Sequence, residues 1–203
     1  MSCRDAKFNI LFTMHNAVDR ERMTNDILDY YTNTLEFPVE QLFFVDSSAR
    51  GVKDTRIPDS NQVVFDQKLG CPNISNSTDL ESCSIRKISH DDAIMHRLLQ
   101  KDYTVKLTAK YKLPDICSAV HEGMETGSTV LIQSNHLQNW QNTELWGAKS
   151  DQIYDIIENV NLRTGLMEHR FFDQCQKTDC HRLKPLENVA DYKRGAGDLL
   201  SQL

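Results

Sequence analysis

The sequence predicts an α/β fold, in which helices flank a mostly parallel central sheet. Short apolar segments alternate along the chain with longer segments whose apolar residues recur at helical spacing. This alternation is typical of parallel sheets, because a parallel connection needs a crossover that is usually a helix. The 203 residues, 39% of them hydrophobic, can bury a substantial core, so we predict a single domain over residues 1–203.

Three strands are predicted in the first half of the chain, because each is a short apolar run followed by polar residues. They cover residues 8–14, 42–45 and 63–65. Between the first two strands, apolar residues recur at helical spacing from 19 to 37, and Pro38 ends this helix. The segment 68–81, rich in Asn, Ser, Gly and Pro, predicts a long loop.

The second half of the chain continues the alternation. Helices are predicted over 85–99, 150–160 and 166–172, and strands over 103–107 and 129–132. The last residues are polar, and no internal repeat or low-complexity segment interrupts the pattern. We therefore expect one wound sheet.

The charge balance argues against a nucleic-acid partner. There are 23 basic and 29 acidic residues, which give a net charge of -6, and the basic residues do not cluster. No apolar stretch is long enough for a signal peptide or a membrane span, which predicts a cytoplasmic protein, in the host cytoplasm if the chain is viral. A secreted or lumenal catalytic domain that has been separated from its membrane anchor shows the same sequence features.

The cysteines predict free thiols in a reducing compartment. They are scattered and form no Cys-x-x-Cys pair. Their positions are Cys3, Cys71, Cys83, Cys117, Cys175 and Cys180.

Polar residues that follow the predicted strands are the first candidates for a binding site, because ligands of parallel sheets bind at the carboxyl ends of the strands. These candidates are Thr13, His15, Asp46, Ser47, Asp66, Thr108, Lys110 and Tyr111. Neither GxGxxG nor GxxxxGK occurs in the chain, which argues against a dinucleotide oxidoreductase or a P-loop kinase.

The segment Tyr103–Asp115 (YTVKLTAKYKLPD) resembles the F-I-K-I-T-G-R-Y strand and loop of small bacterial and large-virus glycosyltransferases of the GT-A fold. Shorter similarities follow the same order as in those enzymes. They are Ile10–Thr13, Leu42–Ser48, Gln141–Gly147, Gly165–Glu168 and Leu183–Leu186. The chain departs from the family pattern at Ala109 and Lys110, where glycine and arginine are usual.

This resemblance implies a GT-A-like, Rossmann-like domain that transfers a hexose or deoxyhexose from a nucleoside-diphosphate sugar, such as a UDP-sugar, to a glycan or glycoprotein. Many GT-A enzymes hold Mn²⁺ or Mg²⁺ with an Asp-x-Asp motif, which is absent here, so the metal is left open.

The chemistry of glycosyl transfer nominates residues independently of the family. The departing diphosphate gathers negative charge, which Lys106 and Lys110 can neutralise. An acceptor hydroxyl needs a base if the reaction inverts the anomeric centre, and Glu144, Asp46 and Glu168 are the catalytic candidates. The alternatives are that the lysines are solvated surface residues, that Asp46 begins an ordinary turn or helix cap, and that Glu168 and His169 lie on an ordinary helix surface.

We expect the remaining site residues to divide between donor and acceptor. The predicted donor site comprises Thr13, His15, Arg22, Asp46, Ser47, Lys106, Thr108 and Lys110. The predicted acceptor site comprises Tyr111, Trp140, Trp146 and His169, with the two tryptophans forming an aromatic wall beside Glu144. Tryptophans at this spacing are more often core residues.

Three other interpretations remain open. A non-catalytic module of the same fold would bind a nucleotide or glycan, and the missing Asp-x-Asp favours it. A nucleotidyltransferase would need a glycine-rich loop after the first strand, where residues 13–16 contain no glycine. A zinc site at His169, Cys175, Cys180 and His181 has an unusual spacing for a closed structural site.

Overall fold

The computed structural model describes residues 3–15, 21–71, 77–134, 141–161 and 167–189. A single seven-stranded sheet organises them, with the strand order β3-β2-β1-β4-β6-β5-β7. The strands are β1 (Phe8–Met14), β2 (Leu42–Asp46), β3 (Gln62–Val64), β4 (Tyr103–Thr108), β5 (Val130–Ser134), β6 (Gln141–Lys149) and β7 (Cys180–Arg182).

The sheet is mostly parallel. Strand β1 pairs in parallel with β2 on one side and with β4 on the other, and the pairs β2–β3 and β5–β7 are also parallel. Strand β6 lies antiparallel between β4 and β5. The predicted α/β class with a mostly parallel central sheet is therefore confirmed.

Helices cover both faces of the sheet. They are α1 (Glu21–Asp29), α2 (Gln67–Gly70), α3 (Ser77–Ser89), α4 (Asp92–Leu98), α5 (Ile116–Glu125), α6 (Ile153–Asn161) and α7 (Met167–Cys175). Side chains of α1 and α5 pack on one face of the sheet in a first core, whereas α3, α4, α6 and α7 pack on the other face in a second core. Successive side chains of a strand point to opposite faces of the sheet. In β1, Ile10 and Phe12 therefore enter the first core and Leu11 enters the second.

Several predicted boundaries are wrong. The predicted loop 68–81 contains most of α2 and the start of α3, and the single helix predicted over 85–99 is two helices. The break lies at Asp91, whose Oδ1 accepts a hydrogen bond from the backbone N–H of Ile94 at 3.1 Å and so caps α4. Strand β6, helix α5 and strand β7 had no predicted counterpart.

Two disulfides overturn the prediction of free thiols for four of the cysteines. Cys3 is bonded to Cys117, 114 residues away, and Cys71 is bonded to Cys83, 12 residues away. The folded chain brings together cysteines that are distant in sequence, which spacing alone does not reveal. The reducing compartment inferred from free thiols loses this support.

No helix within the described ranges is long and apolar enough to cross a lipid bilayer.

Candidate active site at the carboxyl edge of the sheet

Polar and charged side chains meet where β1 and β4 end side by side. Thr13 of β1 is in register with Thr108 of β4, and Lys106 lies two residues before Thr108 on the same face. Helix α3 covers this face and contributes Glu81. Because β6 runs antiparallel to β4, the beginning of β6 brings Glu144 to the same edge.

Lys106 is wholly buried at the centre of this group. Its Nζ forms an ion pair with Oε1 of Glu81 at 2.5 Å, and donates to the carbonyl oxygen of Thr143 at 2.5 Å and to Oγ1 of Thr108 at 3.1 Å. The three N–H groups of the ammonium thus each have an acceptor. Burial lowers the pKa of Lys106, and the facing carboxylate of Glu81 opposes that effect.

Glu81 completes the buried cluster. The same Oε1 atom accepts hydrogen bonds from the hydroxyl of Thr13 and from that of Thr108, the latter at 3.0 Å. Only 14% of the Glu81 side chain is exposed, and none of the Lys106 side chain. Contrary to the sequence prediction, the Lys106 ammonium does not face solvent, so it is not presented to a diphosphate and instead positions the ends of β1, β4 and β6.

Glu144 forms a second, half-exposed group beside this cluster. One carboxylate oxygen is paired with the ammonium of Lys110, and the other accepts a hydrogen bond from the hydroxyl of Tyr111. The Lys110 ammonium also lies 5.0 Å from the centre of the Tyr111 ring. Exposed fractions of the side chains are 40% for Lys110 and 32% for Glu144, so a ligand can reach both.

The charge of Glu144 is maintained despite its partial burial. Burial by itself raises the pKa of the carboxyl, but the hydrogen bonds from Lys110 and Tyr111, together with the charges of Lys110 and Lys106, bring the pKa below its ordinary value. Tyr111 is itself held in place, since its backbone carbonyl accepts a hydrogen bond from the Tyr31 hydroxyl at 3.2 Å. The edge therefore carries an ionised carboxylate and an accessible cation in contact.

Asp46 begins the turn after β2, which is the alternative to its predicted catalytic and donor-binding role. It is 1% exposed, and its two oxygens accept from the backbone N–H of Ser48 at 3.0 Å, the hydroxyl of Ser48 at 2.6 Å and the N–H of Gly51 at 2.8 Å. Gly51 has φ of +69°, a conformation that favours glycine. The carboxylate of Asp46 closes the loop after β2, so the geometry does not support the predicted catalytic and donor-binding role.

Other predicted donor residues lie on the neighbouring strand ends. The Nδ1 atom of the exposed His15 is 3.0 Å from Oγ of Ser47, so the ends of β1 and β2 are joined by these side chains. Arg22 is exposed on α1.

The predicted aromatic wall is not found at Trp146. This side chain is fully buried in the second core, with its ring centre 5.0 Å from that of Phe171 in α7. Residues 144 and 146 lie on the same face of β6. Glu144 is at the edge of the sheet, whereas Trp146, further along the strand, is covered by α7. Trp140 lies outside the described residues. On α7, Glu168 is partly buried and His169 is exposed.

Glu81 is the residue that the sequence prediction missed. The sequence predicts it at the end of a loop, whereas it belongs to α3. A signal was present, since Glu81, Ile85 and Ile88 follow the spacing of one helix face, and both isoleucines are buried.

Among the described residues of this edge, the carboxylates do not form a donor set that fits a divalent cation. The carboxylates of Glu81 and Glu144 are already neutralised by Lys106 and Lys110, and that of Asp46 is occupied by loop N–H groups. Among the residues that the structure describes, no three His, Cys, Asp or Glu side chains are grouped as metal ligands. This described part includes His169, Cys175, Cys180 and His181, and these four side chains are not grouped there as the ligands of a zinc ion.

An open cavity of about 730 Å³ lies next to the loop that Asp46 closes. Its wall includes Arg50 and Lys53 from this loop, and Gln62 and Val64 from β3. The side-chain amide of Gln62 holds the loop by bonding the N–H and the carbonyl of Val52 at 2.8 and 3.1 Å. The volume is in the range of small-molecule sites.

Among solved structures, the chain is similar to the galactosyltransferase LgtC in complex with donor and acceptor sugar analogues. The sequence identity is 7% and the TM-score is 0.47, over 86% of this chain and 73% of that chain. No family model matches the sequence, and no curated protein does.

Proposed function

We propose that the chain is a glycosyltransferase that moves a hexose or deoxyhexose from a nucleoside-diphosphate sugar to a glycan or glycoprotein acceptor. One observation carries this proposal, namely the contact between Lys110 and the ionised, half-exposed Glu144 at the carboxyl edge of the sheet. Two of the segments that resemble GT-A enzymes, 103–115 and 141–147, contribute to that contact.

Lys110 is the cation that we assign to the leaving diphosphate. Negative charge develops on the leaving oxygen as the glycosidic bond to the sugar breaks, and a positioned ammonium stabilises it. Lys110 is suited to this role because it is accessible, whereas Lys106 is sealed beneath the surface.

Glu144 is the group that we assign to the acceptor, as the base that removes the hydroxyl proton. The contacts with Lys110 and Tyr111 hold its pKa low, and a carboxylate with a low pKa is a weak base. When a diphosphate draws the Lys110 ammonium away, Glu144 loses its main partner and its pKa rises. Donor binding would thereby activate the base.

The nucleoside would lie near the loops after β1 and β2. His15 and Ser47 lie at the ends of these strands, and Arg50 and Lys53 line the adjacent cavity. The wall of this cavity carries charges of both signs, from Arg50, Lys53, Asp54 and Asp59, and its volume is large enough for a base and a ribose.

Thermal melting with nucleoside diphosphates and nucleotide sugars, each with EDTA, Mg²⁺ or Mn²⁺, tests the donor assignment. A ligand that binds only the native state raises the melting temperature. We expect one nucleotide sugar to stabilise the protein selectively, and Lys110→Met to weaken that effect. Lys184→Met is the matched control, because Lys184 also pairs with a glutamate, Glu122, at an exposed site. A flat response to every nucleotide would contradict the donor site.

Turnover separates the transferase from its alternative, a non-catalytic module that binds the same ligand. The absence of an Asp-x-Asp motif from the sequence is the observation that favours the binding module. With the nucleotide sugar identified by melting, we expect release of the nucleoside diphosphate in the presence of glycan acceptors, and a loss of about 100-fold or more in Glu144→Gln. Donor binding without turnover under any metal condition would favour the module.

A further inference from the structure

Cys175 and Cys180 lie at the two ends of one tight turn. Cys175 is the last residue of α7 and Cys180 is the first residue of β7. The turn is held by bonds from the N–H of Gln176 to the carbonyl of Phe172 at 3.1 Å and from the hydroxyl of Thr178 to the carbonyl of Gln174 at 3.0 Å. Across it, both side chains pack on the second core, and they are close enough to shift each other's pKa in opposite directions.

Packing on both sides keeps the two thiols together. Cys175 is 7% exposed and belongs to the second core, against which the partly buried Cys180 packs. Cys180 is in register with Val130 of β5, and α7 is anchored by the contact of Phe171 with Trp146. Separating the sulfurs would require α7 or β7 to leave the sheet.

We propose that Cys175 and Cys180 form a third disulfide, by exchange with a small-molecule disulfide such as oxidised glutathione. The Cys180 thiolate attacks one glutathione sulfur and releases one glutathione thiolate. Cys175 then loses its proton to water and attacks the Cys180 sulfur, which releases the second glutathione. Two protein thiols are oxidised, two protons are lost, and the two electrons reduce one glutathione disulfide to two thiols.

The order of attack follows from the positions of the two cysteines. Cys180 is the more accessible, and the interaction with Cys175 lowers the pKa of the Cys180 thiol. The interaction with Cys180 and burial raise the pKa of the Cys175 thiol. Cys175 therefore attacks second, after the Cys180 sulfur has been joined to glutathione and is no longer a thiolate.

A third bond would place every cysteine of the chain in a disulfide, since Cys3–Cys117 and Cys71–Cys83 use the other four. Three intrachain bonds are typical of proteins that fold in an oxidising compartment. The new bond would fasten the end of α7, the helix that packs on the strand carrying Glu144.

Tryptic mapping of the full chain tests the proposal directly. Cleavage after Arg170, Lys177 and Arg182 places the two cysteines in separate peptides, 171–177 and 178–182. After equilibration with oxidised and reduced glutathione, acid quench and alkylation, we expect these peptides to be joined and to separate on reduction. Both peptides alkylated, while the other two disulfides are formed, would overturn the proposal, as would a bond from Cys180 to any other cysteine.

A second measurement detects the bond through stability. We expect wild type in the oxidising glutathione buffer to melt about 5 °C above Cys180→Ser, as estimated for closing a loop of this length in a chain of this size. The two proteins should melt together once the thiols of wild type at 175 and 180 are reduced selectively. Equal melting temperatures in the oxidising buffer would contradict a formed bond.

Discussion

At the scale of single residues, we expect replacement of the buried Lys106 to destabilise the fold strongly. Replacing it in Lys106→Met leaves Glu81 in a site that is 14% exposed, without its cation. Removing one partner of a buried ion pair costs about 3–5 kcal/mol, because the remaining charge is uncompensated. We expect a loss of this size in the free energy of unfolding, measured with urea.

The double variant Lys106→Met/Glu81→Leu separates the charge effect from the loss of packing. Two apolar side chains leave no buried charge, and such replacements are often close to neutral. The double variant should therefore recover most of the stability lost in Lys106→Met. Additive losses would mean that the two residues act independently.

The carboxyl of Glu144 predicts a dependence of stability on pH. Its pKa is lower in the folded protein than the ordinary value of 4.5, so between these two pKa values the unfolded chain binds more protons. The contribution of Glu144 to the free energy of unfolding is therefore complete above about pH 5. It is lost as the pH falls through the pKa that Glu144 has in the folded protein.

Urea unfolding at several pH values measures this contribution. We expect wild type to lose more stability than Glu144→Gln between pH 6 and pH 3, because the glutamine has no proton to gain. Equal slopes in the two proteins would contradict the lowered pKa.

At this scale the sequence predicted residue types at the edge but not their exposure. Lys106 and Lys110 have the same chemistry and neighbouring positions, so the sequence assigned them one role. The two lysines differ because α3 packs over β4. This packing buries Lys106 against Glu81 and leaves Lys110 accessible. The exposure of each lysine thus depends on a long-range contact that no local pattern contains.

Among the elements, helix α5 depends on close contact with the first core. A Cβ added at Gly123 would lie 2.9 Å from Cδ2 of Leu131 and 3.1 Å from Cδ2 of Leu183. In an exposed helix, alanine stabilises relative to glycine by about 1 kcal/mol. Here we expect Gly123→Ala to destabilise the protein by about 1–2 kcal/mol, because the two leucines must move.

The matched control is Ser118→Ala, at an exposed position of the same helix. It gains the helix propensity of alanine without a new contact in the core, so we expect a change within about 0.5 kcal/mol. A stabilising effect of Gly123→Ala in urea unfolding would show that α5 can move away from β5 at little cost.

The elements predicted well are those with uniform apolar patterns, such as β1, β2 and β4. Strand β6 went unpredicted because Gln141, Asn142 and Glu144 interrupt its apolar residues, and its place between β4 and β5 comes from antiparallel pairing with both. Strand β7 has three residues, which is too short for a periodic signal.

For the whole molecule, the two disulfides constrain the unfolded chain to different degrees. The loop closed by Cys3–Cys117 spans 114 residues, and that closed by Cys71–Cys83 spans 12. The entropy lost by the unfolded chain grows with the logarithm of loop length, which gives a difference of about 2 kcal/mol between the two bonds.

We therefore expect Cys3→Ala/Cys117→Ala to lower the free energy of unfolding by about 2 kcal/mol more than Cys71→Ala/Cys83→Ala. Each variant loses two sulfur atoms, so the comparison is matched in composition. Cys3 and Cys117 also join the segment before β1 to α5 across the first core, and their removal releases both. Urea unfolding of both variants under oxidising conditions provides the measurement. A larger loss from the shorter loop would mean that local packing around Cys71, rather than chain entropy, determines how these bonds stabilise the fold.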